Sequence, residues 1–248
     1  MPLEYVHCDV FASSPYSGNS LAVFVDPPEL ASSQMLAITQ ELRHFETIFV
    51  WQGVEPNRFR ARVFDLIEEL PFAGHPVIGA ACAMHNRCTE NLDRATWTID
   101  LNADRQVTVN VTMTDGLLEG TLDQGKPDFL KELEDDEIAP FAEAFNLSAP
   151  DVADFRPQVI STGLRYLVVP VRSNLSTARI VVSDLEERLD SIGADFAYLF
   201  DPETFEGRHW NNDGIVEDIA TGSGAGPVGA FAIKHRIREP NDVIALRQ

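Results

Sequence analysis

Alternation between apolar and polar residues recurs along the chain, and a period of two is typical of half-buried strands. The clearest case is segment 106–113, in which every second residue is apolar. Segments 32–43 and 141–147 have the spacing of helices instead. Strands are predicted over residues 3–11, 21–25, 47–51, 58–65, 95–101, 106–113, 164–171 and 179–182. Because the strands mostly follow one another without an intervening helix, an α+β fold is favoured over a doubly wound sheet.

One sequence motif occurs twice, in segments 69–85 and 217–235. Each copy has an acidic residue, a glycine turn, a Pro-Val pair and then a run rich in small residues. Proline suits the first helical position, and a helix that is apolar all round is normally buried. Each copy therefore predicts a buried helix that begins at its Pro-Val pair and is entered through a glycine loop. The repeat also predicts two similar halves, residues 1–115 and 116–248.

The start of such a helix has a chemical consequence. A helix N-terminus presents unpaired N–H groups and a partial positive charge, so it binds anions readily. Two such ends facing one cleft would hold a small carboxylate. On pattern alone, two buried helices with glycine turns and no ligand are an equally good interpretation.

Composition narrows the classes of partner. The chain has 248 residues, of which 44% are hydrophobic, and its 39 acidic and 19 basic residues give a formal net charge of −20. Such a charge is repelled by nucleic acids and by anionic membranes. No signal peptide or membrane-spanning run is recognisable, so a cytoplasmic location is expected. The three cysteines are odd in number and widely spaced, which argues against disulfides, and Cys82 is expected to be buried.

Several segments, in this order along the chain, resemble the PhzF-like isomerases of phenazine biosynthesis, which share the fold of diaminopimelate epimerase. The most specific are Pro-Phe-Ala-Gly-His-Pro at 71–76 and Ala-Thr-Gly-Ser at 220–223. The resemblance implies an α+β fold of two similar domains, each a curved sheet around a central helix, with the active site in the cleft between them. It also implies a homodimer. The segments that carry it are 9–11, 18–24, 45–50, 69–76 and 214–223, with weaker support from 162–166.

The resemblance also assigns the site. Glu46 matches the family's catalytic acid/base, and its apolar neighbours in the sequence lead us to expect a raised pKa. The other matched residues are His75 and Asp218 as catalytic residues, with Gly74, Gly222 and Ser223 as substrate-binding residues. Without the resemblance, ordinary structural roles fit these positions too: a strand-end glutamate, a helix-start histidine, a carboxylate near a helix and a capping serine.

Two alanines bear on the type of reaction. Thiol epimerases of this fold carry a cysteine at about the positions of Ala73 and Ala220, and the two thiols act on opposite faces of one carbon. With alanine at both positions, one carboxylate moving a proton between two carbons is favoured, so isomerisation is expected before epimerisation or racemisation. No cofactor is expected.

Several positions depart from the family pattern. Ile219 replaces a usual proline, Phe45 replaces a small polar residue beside Glu46, and Asp65–Leu66 stand where Thr-Pro is frequent. The sequence ends at Gln248, where family members continue, so the second half is expected to be short at its C-terminus. The substrate is therefore predicted only as a small carboxylate. A non-enzymatic small-molecule binding protein on the same fold stays open as an alternative.

Two further classes of enzyme fit poorly. The glycine-rich run at 222–226 is followed by Pro227 and too little chain for a dinucleotide-binding unit. The six histidines lack the spacing of a zinc protease, and Cys82 and Cys88 lack a second pair of ligands. No metal site is expected.

Overall fold

The computed structural model of the chain describes residues 2–88, 92–102 and 105–248. It divides into two compact units, Met1–Gln124 and Gly125–Gln248. Each unit contains its own sheet, with helices packed against it.

The first unit holds one curled sheet and two helices. The strands run in the order β1-β2-β3-β4-β6-β7-β8, with β5 added on β4. The β2–β3 and β4–β6 pairs are parallel and the others antiparallel. The elements are β1 Val6–Val10, β2 Asn19–Val25, α1 Ser32–Leu42, β3 Glu46–Gln52, β4 Arg58–Asp65, β5 Glu69–Leu70, α2 Gly74–Cys88, β6 Arg94–Asp100, β7 Gln106–Thr114 and β8 Leu117–Asp123.

Helix α2 is the central helix of this unit. It packs against β1, β2, β3, β6, β7 and β8, and ten of its fifteen residues are buried. Small residues permit this close approach. A Cβ atom at Gly79 would lie 2.5 Å from Leu21 Cδ2 and 2.9 Å from Val10 Cγ2, closer than real side chains approach. Glycine at this position therefore lets α2 lie directly on β1 and β2.

The second unit repeats the plan with a smaller sheet, ordered β13-β12-β11-β10-β9. Helix α5 packs on one face of it, against β10, β11 and β12. The core that includes α3 and α4 contains Leu167 and Val169 of β11, whereas the core of α5 contains Tyr166 and Val168. The elements are β9 Asp128–Glu132, α3 Asp135–Ala144, β10 Gln158–Ser161, β11 Arg165–Pro170, α4 Leu185–Ser191, β12 Phe196–Phe200, β13 Gly207–Arg208 and α5 Gly222–Lys234, with 3₁₀ turns at Ala149–Asp151 and Leu175–Thr177.

Some predicted elements are wrong or displaced. Residues 179–182 form no strand, because the backbone N–H groups of Arg179 and Val181 bond to the carbonyls of Phe145 and Ala144 at the end of α3. Helix α3 begins at Asp135, six residues before the predicted start at 141. Its first turn carries three acidic residues, which favour a helix N-terminus. The sequence pattern does not predict strands β5, β8, β9, β10, β12 and β13 or helix α4.

The repeated motif forms both expected helices, but α5 is less buried than expected, with six of its thirteen residues buried, and neither helix has proline at the first position. Pro76 is the third residue of α2 and Pro227 the sixth of α5, because both helices begin at a preceding glycine. The expected boundary between residues 115 and 116 falls in the turn from β7 to β8. Since β8 pairs with β7 along its length, residues 117–123 lie in the first unit.

The packing of Tyr198 in β12 explains why residue 224 of the second motif is glycine. Its ring is fully buried, and a Cβ atom at Gly224 would lie 2.6 Å from Tyr198 Cδ2. A Cβ atom at Gly229, five residues further along α5, would meet nothing within 4 Å. The two glycines share a helix but not an environment.

We predict opposite effects for alanine at these two positions. Gly224→Ala should lower the free energy of unfolding by about 1–3 kcal/mol, because the methyl group must displace a buried ring. Gly229→Ala should raise it by about 0.5–1 kcal/mol, because alanine is the better helix former. Urea unfolding of both variants measures this. A neutral or stabilising Gly224→Ala would contradict the close contact with Tyr198.

Asp151 joins two loops of the second unit. Its buried carboxylate accepts hydrogen bonds from Ser148 N (2.8 Å) and Oγ (2.6 Å), from Ser173 Oγ (2.6 Å) and from Asn174 Nδ2 (2.7 Å). The bonds from Ser148 and Ser173 are the main cause that holds the pKa of this carboxyl well below its usual range. A carboxyl with a depressed pKa stabilises the fold above its unfolded pKa, near 4, and that contribution is lost as the pH falls.

We therefore expect a pH-dependent effect of Asp151→Asn. At pH 7 the variant should lose about 2 kcal/mol of unfolding free energy, since an amide accepts fewer of these bonds. The difference from wild type should shrink as the pH falls below about 4. Asp115→Asn, in the exposed β7–β8 turn, is the control. Urea unfolding across this pH range measures both, and a difference that does not change with pH would refute the assignment.

Candidate active site

Glu46 lies at the start of β3, in the interior of the first sheet. Its backbone is paired with Leu21 of β2 on one side and Asp65 of β4 on the other. The residue is only 7% exposed, in a strand whose first five residues are all buried. A buried carboxylate is uncommon because its charged form loses hydration. This placement is unlike that of an ordinary exposed glutamate at a strand end.

His75 lies beside Glu46. It is the second residue of α2, is 3% exposed, and places Nδ1 3.3 Å from Glu46 Oε2. The same nitrogen lies 3.4 Å from the side-chain amide nitrogen, Nδ2, of Asn19, which is the buried first residue of β2. Gly74 precedes His75 as the first residue of the helix. The structure thus groups the predicted residues of the first half in one buried cluster at the N-terminus of α2.

A carboxylate in contact with an imidazole can share or exchange a proton. Carboxyl and imidazole groups are the commonest general acids and bases in enzymes, provided that they lie within reach of the reacting proton. The imidazole can also hold the carboxylate in one orientation, and which of the two nitrogens carries the proton then decides which group donates. The cluster therefore has the composition of an acid–base site.

In the second unit, Asp218, Gly222 and Ser223 are grouped at the N-terminus of α5. Asp218 is 5% exposed, and its carboxylate accepts hydrogen bonds from Thr221 Oγ1 at 2.7 Å and from Ala220 N at 3.4 Å. Gly222 is the first residue of α5 and Ser223 the second. The hydroxyl of Ser223 lies 2.7 Å from that of Tyr166, a buried residue of β11.

The two helix starts share their opening glycine. Gly74 and Gly222 each open their helix, so Ala73 corresponds to Thr221 and not to Ala220. This corrects the alignment expected from the sequence. The conclusion drawn from it is unchanged, because neither Ala73 nor Thr221 carries a thiol.

Three polar residues of these clusters received no role from the sequence: Asn19, Thr221 and Tyr166. Each lies inside a segment that carried the family resemblance. Their contacts depend on residues distant in the chain, such as the 56 positions between Asn19 and His75. The sequence offers one signal for Asn19, which is the glycine that precedes it. Glycine is required at position 18 because a Cβ atom there would lie 2.3 Å from the carbonyl oxygen of Val10.

Comparison with known proteins decides the family. The model of the family described as "Phenazine biosynthesis-like protein" (PhzC-PhzF) matches residues 8–248. The chain belongs to this family. Among curated relatives, the trans-2,3-dihydro-3-hydroxyanthranilate isomerase of Pseudomonas aeruginosa is 30% identical over 251 residues, which cover 94% of this chain and 81% of the relative. The resemblance and the enzyme class predicted from the sequence, an isomerase, are thereby confirmed.

Solved structures agree. A structure described as a "Predicted Epimerase" from Pseudomonas aeruginosa is 43% identical, with a TM-score of 0.95, and the match covers 100% of this chain and 87% of that one. A probable proline racemase from Agrobacterium radiobacter shares the fold at 15% identity, with a TM-score of 0.62 over 99% of this chain and 80% of that one. The expected diaminopimelate-epimerase-like α+β fold is confirmed.

The part of the chain that the structure describes contains neither a metal-binding cluster nor a membrane-spanning helix. Within residues 2–88, 92–102 and 105–248, no three His, Cys, Asp or Glu side chains are grouped so that they could hold a metal ion. Over the same residues, no helix is both long and apolar enough to cross a membrane.

The cysteines are poorly suited to proton transfer. Burial raises the pKa of the Cys8 thiol to about 11, and burial together with the neighbouring Cys8 raises that of Cys82 to about 12. Both thiols are protonated at neutral pH, whereas nucleophilic and base chemistry requires the thiolate. Cys88 is exposed at the end of α2.

We expect one fast-reacting thiol. At pH 8, Ellman's reagent should modify Cys88 rapidly and Cys8 and Cys82 at least about tenfold more slowly, because a raised pKa leaves little thiolate. Cys88→Ser should remove the fast phase of the absorbance trace. Two or three fast thiols in the folded protein would show that the β1–α2 contact is looser than described.

Proposed function

We propose that this chain is a cofactor-independent isomerase that moves a proton within a small carboxylate substrate, with Glu46 as the general base and acid. The observation that carries the proposal is the contact between Glu46 Oε2 and His75 Nδ1 at 3.3 Å, in a buried position at the N-terminus of α2. Family membership supports it, because the curated relatives are named isomerases.

The proposed reaction balances without a cofactor. Glu46 as carboxylate removes a proton from an activated C–H bond, and the electron pair of that bond delocalises into a conjugated system of the substrate. The carboxylic acid so formed returns the proton to a different carbon. The product has the composition of the substrate. General acid–base catalysis of this type contributes about 10²–10⁴-fold to the rate.

Other residues orient the substrate and the base. We propose that His75, whose Nδ1 lies 3.3 Å from Glu46 Oε2, orients the carboxylate and shares its proton. We assign the binding of the substrate carboxylate to the N–H groups at Gly74 and Gly222, where the helix dipoles favour an anion, and to the hydroxyl of Ser223. We propose Asp218 as the catalytic residue of the second half. Burial of Glu46 supports intramolecular transfer, since a dry site slows exchange of the proton with water.

The first substrate to test follows from a relative. The Pseudomonas aeruginosa homologue acts on trans-2,3-dihydro-3-hydroxyanthranilate, a cyclic amino carboxylate. We propose a substrate of this chemical class. Phe45 and Asp65–Leu66 depart from the family pattern next to Glu46, so the natural substrate can differ in the groups that meet these side chains.

Epimerisation is the second candidate, because the 43% identical structure is described as a "Predicted Epimerase". It is the weaker one, since Ala73 and Thr221 leave the helix starts without a thiol pair. The outcomes differ: an epimerase inverts one carbon and exchanges its hydrogen with solvent, whereas the proposed isomerase shifts a double bond. A cytoplasmic location and a homodimer stay predictions from the sequence.

Glu46→Gln tests the central residue. In D₂O, with a panel of cyclic and amino-acid carboxylates that includes trans-2,3-dihydro-3-hydroxyanthranilate, NMR should show C–H exchange or isomerisation by the wild type. Glu46→Gln should reduce the rate at least about 100-fold, because the amide cannot accept the proton.

Glu119→Gln, on the exposed side of β8, removes the same charge from the same unit and should leave the rate unchanged. Circular dichroism should show that both variants are folded. A Glu46→Gln rate within a few-fold of wild type would remove Glu46 from the mechanism. A folded wild type that processes none of the carboxylates would favour the binding-protein alternative.

A further inference from the structure

A side chain far from the recognised motifs contacts the loop that carries Asp218. The amide of Gln248 makes four hydrogen bonds in the second unit. Its Oε1 accepts from Tyr198 OH at 2.9 Å and from Thr221 N at 3.0 Å, and its Nε2 donates to Asp218 O at 2.5 Å and to Thr221 Oγ1 at 3.0 Å. A primary amide has two donor hydrogens and one oxygen with two lone pairs. All four are used, three of them on loop 218–221.

We propose that Gln248 is a positioning residue, which sets the orientation of the Asp218 carboxylate and of the N-terminus of α5. The inference rests on the function proposed above, in which Asp218, Gly222 and Ser223 act on the substrate. It adds a residue that has no role in that proposal and that touches none of the reacting atoms assigned there.

The hydrogen bonds fix their own direction. A threonine hydroxyl has one proton. Because Thr221 Oγ1 accepts from Gln248 Nε2, its proton is left for the Asp218 carboxylate, whose Oδ2 lies 2.7 Å away. The chain of donors therefore runs from Gln248 through Thr221 to Asp218. It holds the carboxylate as an acceptor and restricts its rotation.

The same amide reaches the start of α5. Thr221 directly precedes this helix, and its backbone N–H is held by Gln248 Oε1. Three hydrogen bonds to Gln248 thus hold the loop at Asp218 O, Thr221 N and Thr221 Oγ1. The N–H groups proposed to bind the substrate carboxylate come directly after this fixed loop. A site held within about 0.5 Å of its productive geometry needs this kind of support.

Gln248 is itself anchored on both sides. The backbone of Arg247 bonds to Phe205 O at 2.9 Å and to Gly207 N at 2.6 Å, which fixes the segment beside β13. Tyr198 is buried, and burial followed by the charge of Asp218 raises the pKa of its phenol, so it keeps the proton that it donates to Gln248. Gly224 and Gly207 leave space for its ring. The amide is therefore held independently of any substrate.

Gln248→Glu in the full chain is the test, because it keeps the size and the acceptor oxygen but removes both donors when ionised. The introduced carboxyl should titrate above its ordinary value of about 4.3, since Asp218 is nearby. When protonated it regains one donor. We therefore expect the kcat of Gln248→Glu relative to wild type to fall about tenfold between pH 5.5 and pH 8.5, the effect of one lost hydrogen bond to an active-site group, with KM within about threefold.

The matched control is Gln52→Glu, which makes the same change at the exposed end of β3. Its kcat ratio to wild type should stay constant over the same pH range. Gln248→Ala should lower kcat at every pH without a pH dependence of its own. A kcat ratio for Gln248→Glu that does not vary with pH would overturn the positioning role, since a purely structural defect has no reason to titrate with the new carboxyl.

A second measurement separates this proposal from the proposed function. The ¹⁵N–¹H signal of the Thr221 amide should titrate in Gln248→Glu with the pKa of the new carboxyl, and should not do so in Gln52→Glu. This needs no substrate. If the Thr221 signal titrates but the protein isomerises no carboxylate, the positioning role of Gln248 is supported and the proposed reaction is rejected. If the Thr221 signal in Gln248→Glu does not titrate with the new carboxyl, the positioning role of Gln248 is rejected, whatever the enzyme activity of the variant.

Discussion

The burial of one helix against the sheet of each unit is the constraint on which the other features depend. A helix can lie directly on strands only where its side chains are small, and Gly79 in α2 and Gly224 in α5 meet this requirement against Leu21 and Tyr198. Burial also removes the helix N-terminus from water, so the first N–H groups of the helix must find their partners outside the helix. The polar residues at the two helix starts, His75 and Ser223, are held there by the same packing. Close packing and candidate chemistry thus have one origin.

The net charge of the chain bears on how an anionic substrate could be bound. With a net charge of −20, the protein as a whole repels anions. The small carboxylate proposed as substrate would then have to be bound through short-range N–H groups and helix dipoles and not through long-range attraction. Glu46 is buried with its Oε2 3.3 Å from Nδ1 of His75, so the carboxyl group has a polar neighbour at the start of β3.

The features of the fold and of the candidate site that could be predicted are those encoded in short stretches of the sequence. Glu46, His75, Asp218 and Ser223 lie in short motifs, and both central helices follow from their runs of small residues. The strand at 179–182 was wrong because its backbone is bonded to the end of α3, a contact that no local pattern encodes. Asn19 was overlooked because it meets its partner His75 across 56 positions. Gln248 has no motif of its own in this chain, and its role emerges only from four hydrogen bonds in three dimensions.

In the proposed reaction, one buried carboxylate removes a proton and returns the same proton. The most direct measurement uses substrate deuterated at the carbon from which the proton is taken, converted in ordinary water, with mass spectrometry of the product after a single turnover. The account predicts that part of the deuterium reappears at the second carbon, because Glu46 is 7% exposed and transfer competes with exchange. Complete loss of deuterium to solvent, with a solvent proton at the second carbon, would contradict it and indicate two separate groups or an open site.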